Sequence, residues 1–309
     1  MLTLDIFGFR ALWSPYFLIA LILILVGYFL ITVKFRTRFA SSEPLTKKQA
    51  IFFSVGIALL YTIKGSPIDL LGHITFYTHM IQMAFLYLII PPIIIVGIPQ
   101  WIWRAIINAP VIKHIFKFFT KPIIALILFN GFFSLYHIPL VFDVIKTDFF
   151  LHALYTGFLF IMSGFMWWPL INQLPEQQTL SGLKKVGYIF ADGVLLTPAC
   201  ALIIFNEVPM YVTFSDPQAW AQALELCVPA STLAGLTLSG PEMFTTMSLL
   251  EDQRLGGVLM KVIQEVVYGT ILAKVFFAWY QEEQEQALEV EMEVKMKMKE
   301  AELNPQPVE

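Results

Sequence analysis

Of 309 residues, 57% are hydrophobic and only 14% charged, with 28 phenylalanines and a mean hydropathy of +0.70. A soluble domain carries nearer a quarter charged residues, so the composition excludes an ordinary soluble enzyme and predicts an all-α, polytopic membrane protein. A net charge of −3 with no basic block tied to a nucleic-acid motif excludes a nucleic-acid partner.

Crossing about 30 Å of hydrocarbon takes roughly 20 helical residues. Apolar runs of that order lie near 13–33, 48–64, 77–98, 120–138, 149–171, 186–206 and 257–280, which predicts a bundle of seven transmembrane helices. The first run, Leu12 to Val33, is too long for a signal-peptide core and is followed by Lys34, Arg36 and Arg38 rather than a small-residue cleavage site, so it is expected to remain as a helix. The second has the shortest continuous apolar core, Ala50 to Ile63, flanked by Lys48 and Lys64. The stems of those two lysines are expected to reach the two interfaces.

The links after helices one, three and five carry Lys34, Arg36, Arg38, Lys47, Lys48, Arg104, Lys113, Lys117, Lys121, Lys184 and Lys185. The opposite side carries Arg10, Lys64, Lys146 and Arg254, among many acidic residues that include Asp69 and Asp143. Eleven basic residues against four predict the N-terminus outside and the C-terminus in the cytoplasm. Residues 206–256 then form a long outer connection with an amphipathic segment around Ala219 to Leu226, long enough to lie as a lid over what is beneath it. Residues 281–309 form a charged cytoplasmic tail in which Glu291 and Lys295, and Glu293 and Lys297, stand four apart as in a solvated helix. Pro305 and Pro307 are expected to end it.

With that orientation, His73, His79, His137 and His152 all fall near the outer face, and only His114 falls on the cytoplasmic side. His79 and Met83 are four residues apart, hence on one helical face. Imidazole with thioether suits Cu(I), a soft cation of low coordination number, whereas carboxylate-rich sites suit Mg, Ca or Mn. The plainer reading of Met80 and Met83 is core or lipid-facing packing, and that of His73 and His152 is bonding to headgroups or loop carbonyls. His79 and His137 are harder to read so, because ionisable groups inside the membrane are costly and tend to mark function. Pro139 ends the helix just after His137, and a link of about ten residues then leads to His152, which is expected to bring those two rings within reach of each other.

The remaining polar features read as structural. Cys200, in an apolar run, and Cys227, in a loop, make neither a disulfide framework nor a C-x-x-C clip and read as packing residues. Glu265 has Lys261 four residues before it as a neutralising partner, whereas Asp192 has none in sequence and is expected to bond to another helix or to stay protonated. There is no Walker, Rossmann, Ser-His-Asp or H-E-x-x-H arrangement, so a hydrolase or ATPase is not indicated.

Several strings in order resemble one family. They are His79-Met80-Ile81-Gln82-Met83, Pro91-Pro92, Gly97-Ile98-Pro99, Tyr136-His137-x-Pro139, Leu151-His152-Ala153-Leu154, Gly164 with Trp167-Trp168-Pro169-Leu170, and Asp252-Gln253-x-x-Gly256-Gly257-x-x-Met260. Together they resemble the CtaG family of Gram-positive bacteria over nearly the whole chain except the tail. The resemblance implies a seven-helix protein of the bacterial cell membrane that assembles a caa-type cytochrome c oxidase. Its partners would be oxidase subunits and the lipid bilayer, and its route copper insertion or handling. This chain departs from the family pattern at Met83 and Thr156, where that pattern has further histidines. Methionine is a conservative replacement for a Cu(I) ligand; threonine is not.

The expectation is therefore a non-enzymatic copper carrier: Cu(I) held by His79, His137, His152 and Met83, with His73 or Met80 as exchangeable ligands, taken from a copper donor protein and released to an oxidase subunit. The alternatives are a metal-free scaffold for oxidase assembly, a membrane cytochrome holding haem between histidines, and a transporter using Asp192 and Glu265. Hydrophobicity leaves a homodimer open, since lipid covers an apolar face as well as a second copy does.

Overall fold

The computed structural model describes residues 2–39 and 41–303, and these are mostly helical with no strand among them. Pro305 and Pro307 lie outside the described residues. Five helices are each long and apolar enough to cross a membrane: α1 (Phe9–Lys34), α4 (Phe76–Gly97), α9 (Phe149–Ile171), α10 (Gly182–Phe205) and α14 (Leu249–Leu303). The count rises to seven with two bent pairs, α2 (Lys47–Lys64) with α3 (Pro67–Ile74) at 44°, and α6 (Pro110–Phe119) with α7 (Pro122–Tyr136) at 79°. Short helices α5 (Gln100–Ile107) and α8 (Pro139–Lys146) fill links, and α11 (Val212–Ser215), α12 (Pro217–Leu224) and α13 (Ala230–Leu233) lie in the long connection before α14.

Most of these boundaries follow from local chemistry. Thr46 and Gln49 form a reciprocal capping box at the start of α2, satisfying two otherwise orphaned donors. Prolines at 67, 110, 122, 139 and 217 open α3, α6, α7, α8 and α12, where a missing N–H removes no helical bond. α14 begins at Leu249, eight residues before the apolar run, and continues without a break through the charged tail. The tail pairs Glu291 with Lys295 and Glu293 with Lys297 at 2.6 and 2.7 Å.

α4 is the axis of the bundle, packed by α2, α9 and α14. Pro91 in its interior has no N–H for the carbonyl of Tyr87 four residues back. That carbonyl instead accepts from the Ser163 hydroxyl and, at 2.9 Å, from Trp167 Nε1, both on α9. A proline that would kink an isolated helix is thus converted into an interhelical tie, as apolar surroundings demand. The first turn of α4 is capped from the far end of the chain, since the Asp252 carboxylate on α14 accepts from Phe76 and Tyr77 N–H, both at 2.8 Å.

Asp192 on α10 bonds to other helices, accepting from Asn130 Nδ2 of α7 at 2.6 Å and from the Tyr268 hydroxyl of α14 at 2.7 Å. Glu265 pairs with Lys261 at 2.8 Å. The Lys64 ammonium pairs with the Asp69 carboxylate just past the bend between α2 and α3.

Candidate metal centre

Four histidines reach one end of the bundle from four elements. His73 is in the last turn of α3, His79 in the first turn of α4, His137 caps the end of α7, and His152 is in the first turn of α9. Their exposures are 1%, 0%, 0% and 8%, so none is available to lipid headgroups. His114 is exposed on α6, its Nδ1 3.2 Å from the Pro110 carbonyl oxygen, and takes no part.

The rings form two pairs. His73 meets His152 edge-to-face with centroids 5.5 Å apart, and His79 lies 6.3 Å from His137. The link between His137 and His152 folds as α8, and each of these two rings has a histidine of the α3–α4 corner as its neighbour. α8 itself contributes to the cluster. Phe142 packs on His79 and His137 at 5.2 and 6.5 Å, and one turn later Lys146 reaches the Gly72 carbonyl at 3.2 Å and His79 Nδ1 at 3.4 Å.

Hydrogen bonding fixes what these imidazoles can do. His137 Nδ1 lies 2.7 Å from the Phe133 carbonyl oxygen; a carbonyl can only accept, so Nδ1 carries the hydrogen and Nε2 keeps a lone pair directed into the protein. Such a backbone bond is how ligating histidines are usually oriented. His137 Nε2, His79 Nε2, His73 Nδ1 and His152 Nδ1 are all buried without a hydrogen-bond partner. Four such atoms in one cluster are more than a native interior usually leaves unpaired, and ordered water or a cation would satisfy them.

Lys146 has its pKa pushed down to about 7, first by burial and then by the Lys64 cation, against the pull of Cys227 and Asp69. As an ammonium it donates to His79 Nδ1 and leaves hydrogen on Nε2. As a neutral amine it can accept from Nδ1–H, which exposes the Nε2 lone pair as a ligand.

Two groups that sequence reasoning did not combine adjoin His73. Ligand atoms of Asp69, His73 and Cys227 lie within 4.8 Å of one another, with Cys227 Sγ 3.4 Å from Asp69 Oδ2. Gln82 Nε2 holds the other carboxylate oxygen at 3.0 Å and the Ile63 carbonyl at 2.9 Å. Burial pushes the Cys227 thiol well up, and the Asp69 carboxylate adds to the effect, so the resting group is the thiol. Cys227 is thus more than a packing residue. A lone cysteine in a loop 158 residues from its partner carries no local signal of this.

The methionines divide. Met83 is buried one turn deeper on the face of α4 that bears His79. Met80 turns to α14, where a Cβ on Gly256 would lie 3.0 Å from its Cγ. The Thr156 hydroxyl bonds back to the His152 carbonyl at 2.6 Å.

Above the rings lies the connection before α14. The Tyr211 hydroxyl reaches the His137 carbonyl at 2.9 Å, Asp143 of α8 accepts from Val212 N–H at 3.1 Å and Thr213 N–H at 2.9 Å, and Trp220, fully buried, donates to the Ile74 carbonyl at 3.3 Å. The connection is therefore docked on the cluster and delivers Cys227 to it.

The sequence pattern of the family described as cytochrome c oxidase caa3 assembly factor, Caa3_CtaG, matches residues 26–282. The chain belongs to this family. Comparison with curated proteins and with solved structures gave no match. The matched span of this Caa3_CtaG chain contains His73, His79, His137, His152, Lys146, Asp69 and Cys227 and ends at residue 282 within α14, ahead of most of its charged extension. Assembly of the caa3 oxidase implies oxidase subunits as partners, and the apolar helices fit a multi-pass membrane protein.

Proposed function

We propose that this family member receives Cu(I) at the histidine end of its bundle and hands it to a subunit of the caa3 oxidase. The observation that carries this reading is the set of four buried imidazoles, each with one ring nitrogen lacking a partner. Neutral imidazole beside thioether or thiolate suits a soft monovalent cation. His79, His137 and His152 are the principal ligands, with Met83 on the inner side. His73 exchanges with them and leads to Cys227 and Asp69 at the entrance, while Met80 would have to leave Gly256 to join.

The eleven basic residues at the other end argue that the histidine end faces out of the cell, with the N-terminus outside and the C-terminus in the cytoplasm. On that side a copper donor protein and the oxidase can both reach the lid. Few ligands and polarisable sulfur allow the cation to pass one ligand at a time from site to recipient, with no bond chemistry beyond ligand exchange.

The test is Cu(I) binding by the purified protein against a competing chelator. Wild type is expected to hold copper, and His79→Ala and His137→Ala each to bind it at least tenfold more weakly. Unchanged binding in both variants would remove this site; a wild type that binds no copper would leave a metal-free scaffold as the function, and a Soret band in copper-free protein would make it a haem protein.

A further inference from the structure

We infer that the groove between α2, α4, α9, α10 and α14 at the basic end of the bundle is a binding site for one anionic phospholipid. The groove has a volume of about 910 Å³, at the upper end of the roughly 300–1,000 Å³ typical of ligand pockets. It lies at the opposite end from the histidines: Lys48, on its rim, is about 24 Å along α2 from Lys64, at 1.5 Å per helical residue. The inference is independent of the copper reading.

The walls and the rim ask for different chemistry. Phe52 of α2, Leu88 and Pro92 of α4, Leu170 of α9 and Ile271 of α14 make an apolar interior. Lys48, Lys185 and Lys274 come to the rim from α2, α10 and α14. Among the described residues none of these three lysines has a carboxylate in salt-bridge range. Lys185 donates to Gln178 Oε1 at 3.1 Å and Lys48 lies 6.0 Å from the Phe52 ring, while Glu282 is the one acidic residue in the lining. Trp279, also in the lining, lies so close over Gly182 that a Cβ there would sit 2.3 Å from its ring. Tryptophan concentrates where hydrocarbon gives way to headgroups.

A cationic rim above an apolar cleft, at interface depth, matches an anionic headgroup above two acyl chains. Basic pockets between transmembrane helices recognise anionic lipids in this way. A transmembrane helix of a partner would fill the walls equally well, but it would have to bring carboxylates to the rim.

Native mass spectrometry of the full-length protein in detergent, titrated with phosphatidylglycerol or with phosphatidylcholine of the same acyl chains, tests this. Wild type should retain one phosphatidylglycerol and prefer it at least tenfold. Each lysine near an anionic surface contributes about fivefold in affinity. The combined variant Lys48→Gln, Lys185→Gln, Lys274→Gln should therefore bring the two lipids within threefold of each other, at unchanged helicity and melting temperature. Ile271→Trp, which fills the cleft, should lose the bound lipid with the lysines intact, and Lys113→Gln with Lys117→Gln, basic residues outside the groove, should keep the preference. The proposal is overturned if wild type shows no preference, if the preference survives the triple substitution, or if the groove retains an oxidase subunit in place of lipid.

Discussion

The Tyr211 hydroxyl donates to the main-chain carbonyl of His137 at 2.9 Å, so the connection over the histidine cluster is tied to the backbone of one of its members. Asp143 makes a second tie through Val212 and Thr213. Tyr211→Phe removes one buried hydrogen bond, worth about 1 kcal/mol net, and leaves a carbonyl unsatisfied. Limited proteolysis should cut residues 206–248 faster in this variant than in wild type. Equal rates would mean that the remaining ties, from Asp143 and from Trp220 to the Ile74 carbonyl, hold the lid without Tyr211.

Cys227 separates two forms of the copper reading. If the cation enters through Asp69, His73 and Cys227, then Cys227→Ser should slow Cu(I) uptake and lower affinity about tenfold or more, because a hydroxyl is a poor ligand for a soft ion. Asp69→Asn should slow uptake less, since Lys64 then loses its partner but the sulfur remains. Uptake unchanged in Cys227→Ser would confine the ligands to the histidines and Met83.

Asp192 is predicted to be structural. Asp192→Ala strands the donors of Asn130 and Tyr268 in the bundle, at about 1–3 kcal/mol for each buried group left unmade. A thermal melt in detergent should show a clear drop for alanine and a smaller one for Asp192→Asn, with Cu(I) affinity unchanged in the latter. Metal flux across vesicles that vanishes in Asp192→Asn would instead reveal a transporter.

Lys146 gives a pH signature. Its folded pKa of about 7 lies below the ordinary 10.5, so between those values the unfolded chain binds a proton that the folded one does not. Stability therefore rises with pH across that window, and the full cost of charging Lys146 is felt below it. In metal-free protein the melting temperature should climb from pH 7 to pH 9 in wild type and stay flatter in Lys146→Met. Parallel curves would show that the amine has water access in solution.

The membrane class, the helical fold and the positions of the apolar segments were legible in the chain because each depends on a local property, the length of an apolar run measured against the hydrocarbon thickness. The i,i+4 ion pairs Lys261–Glu265 and Glu291–Lys295 were legible for the same reason, since 3.6 residues per turn makes them neighbours. The four histidines could be assigned to one end of the bundle from helix order alone. Which rings would meet could not be read, because that depends on how α8 and the α2–α3 bend direct side chains.

Only the tertiary structure decided that Cys227 meets Asp69 across 158 residues, that Lys146 lies against His79, and that Asp192 is satisfied by Asn130 and Tyr268. In each case a buried polar group needs a partner, and any helix end of suitable depth could have supplied one. Periodicity tells a residue which face of its own helix it occupies, but the identity of the facing helix is set by packing among many segments at once.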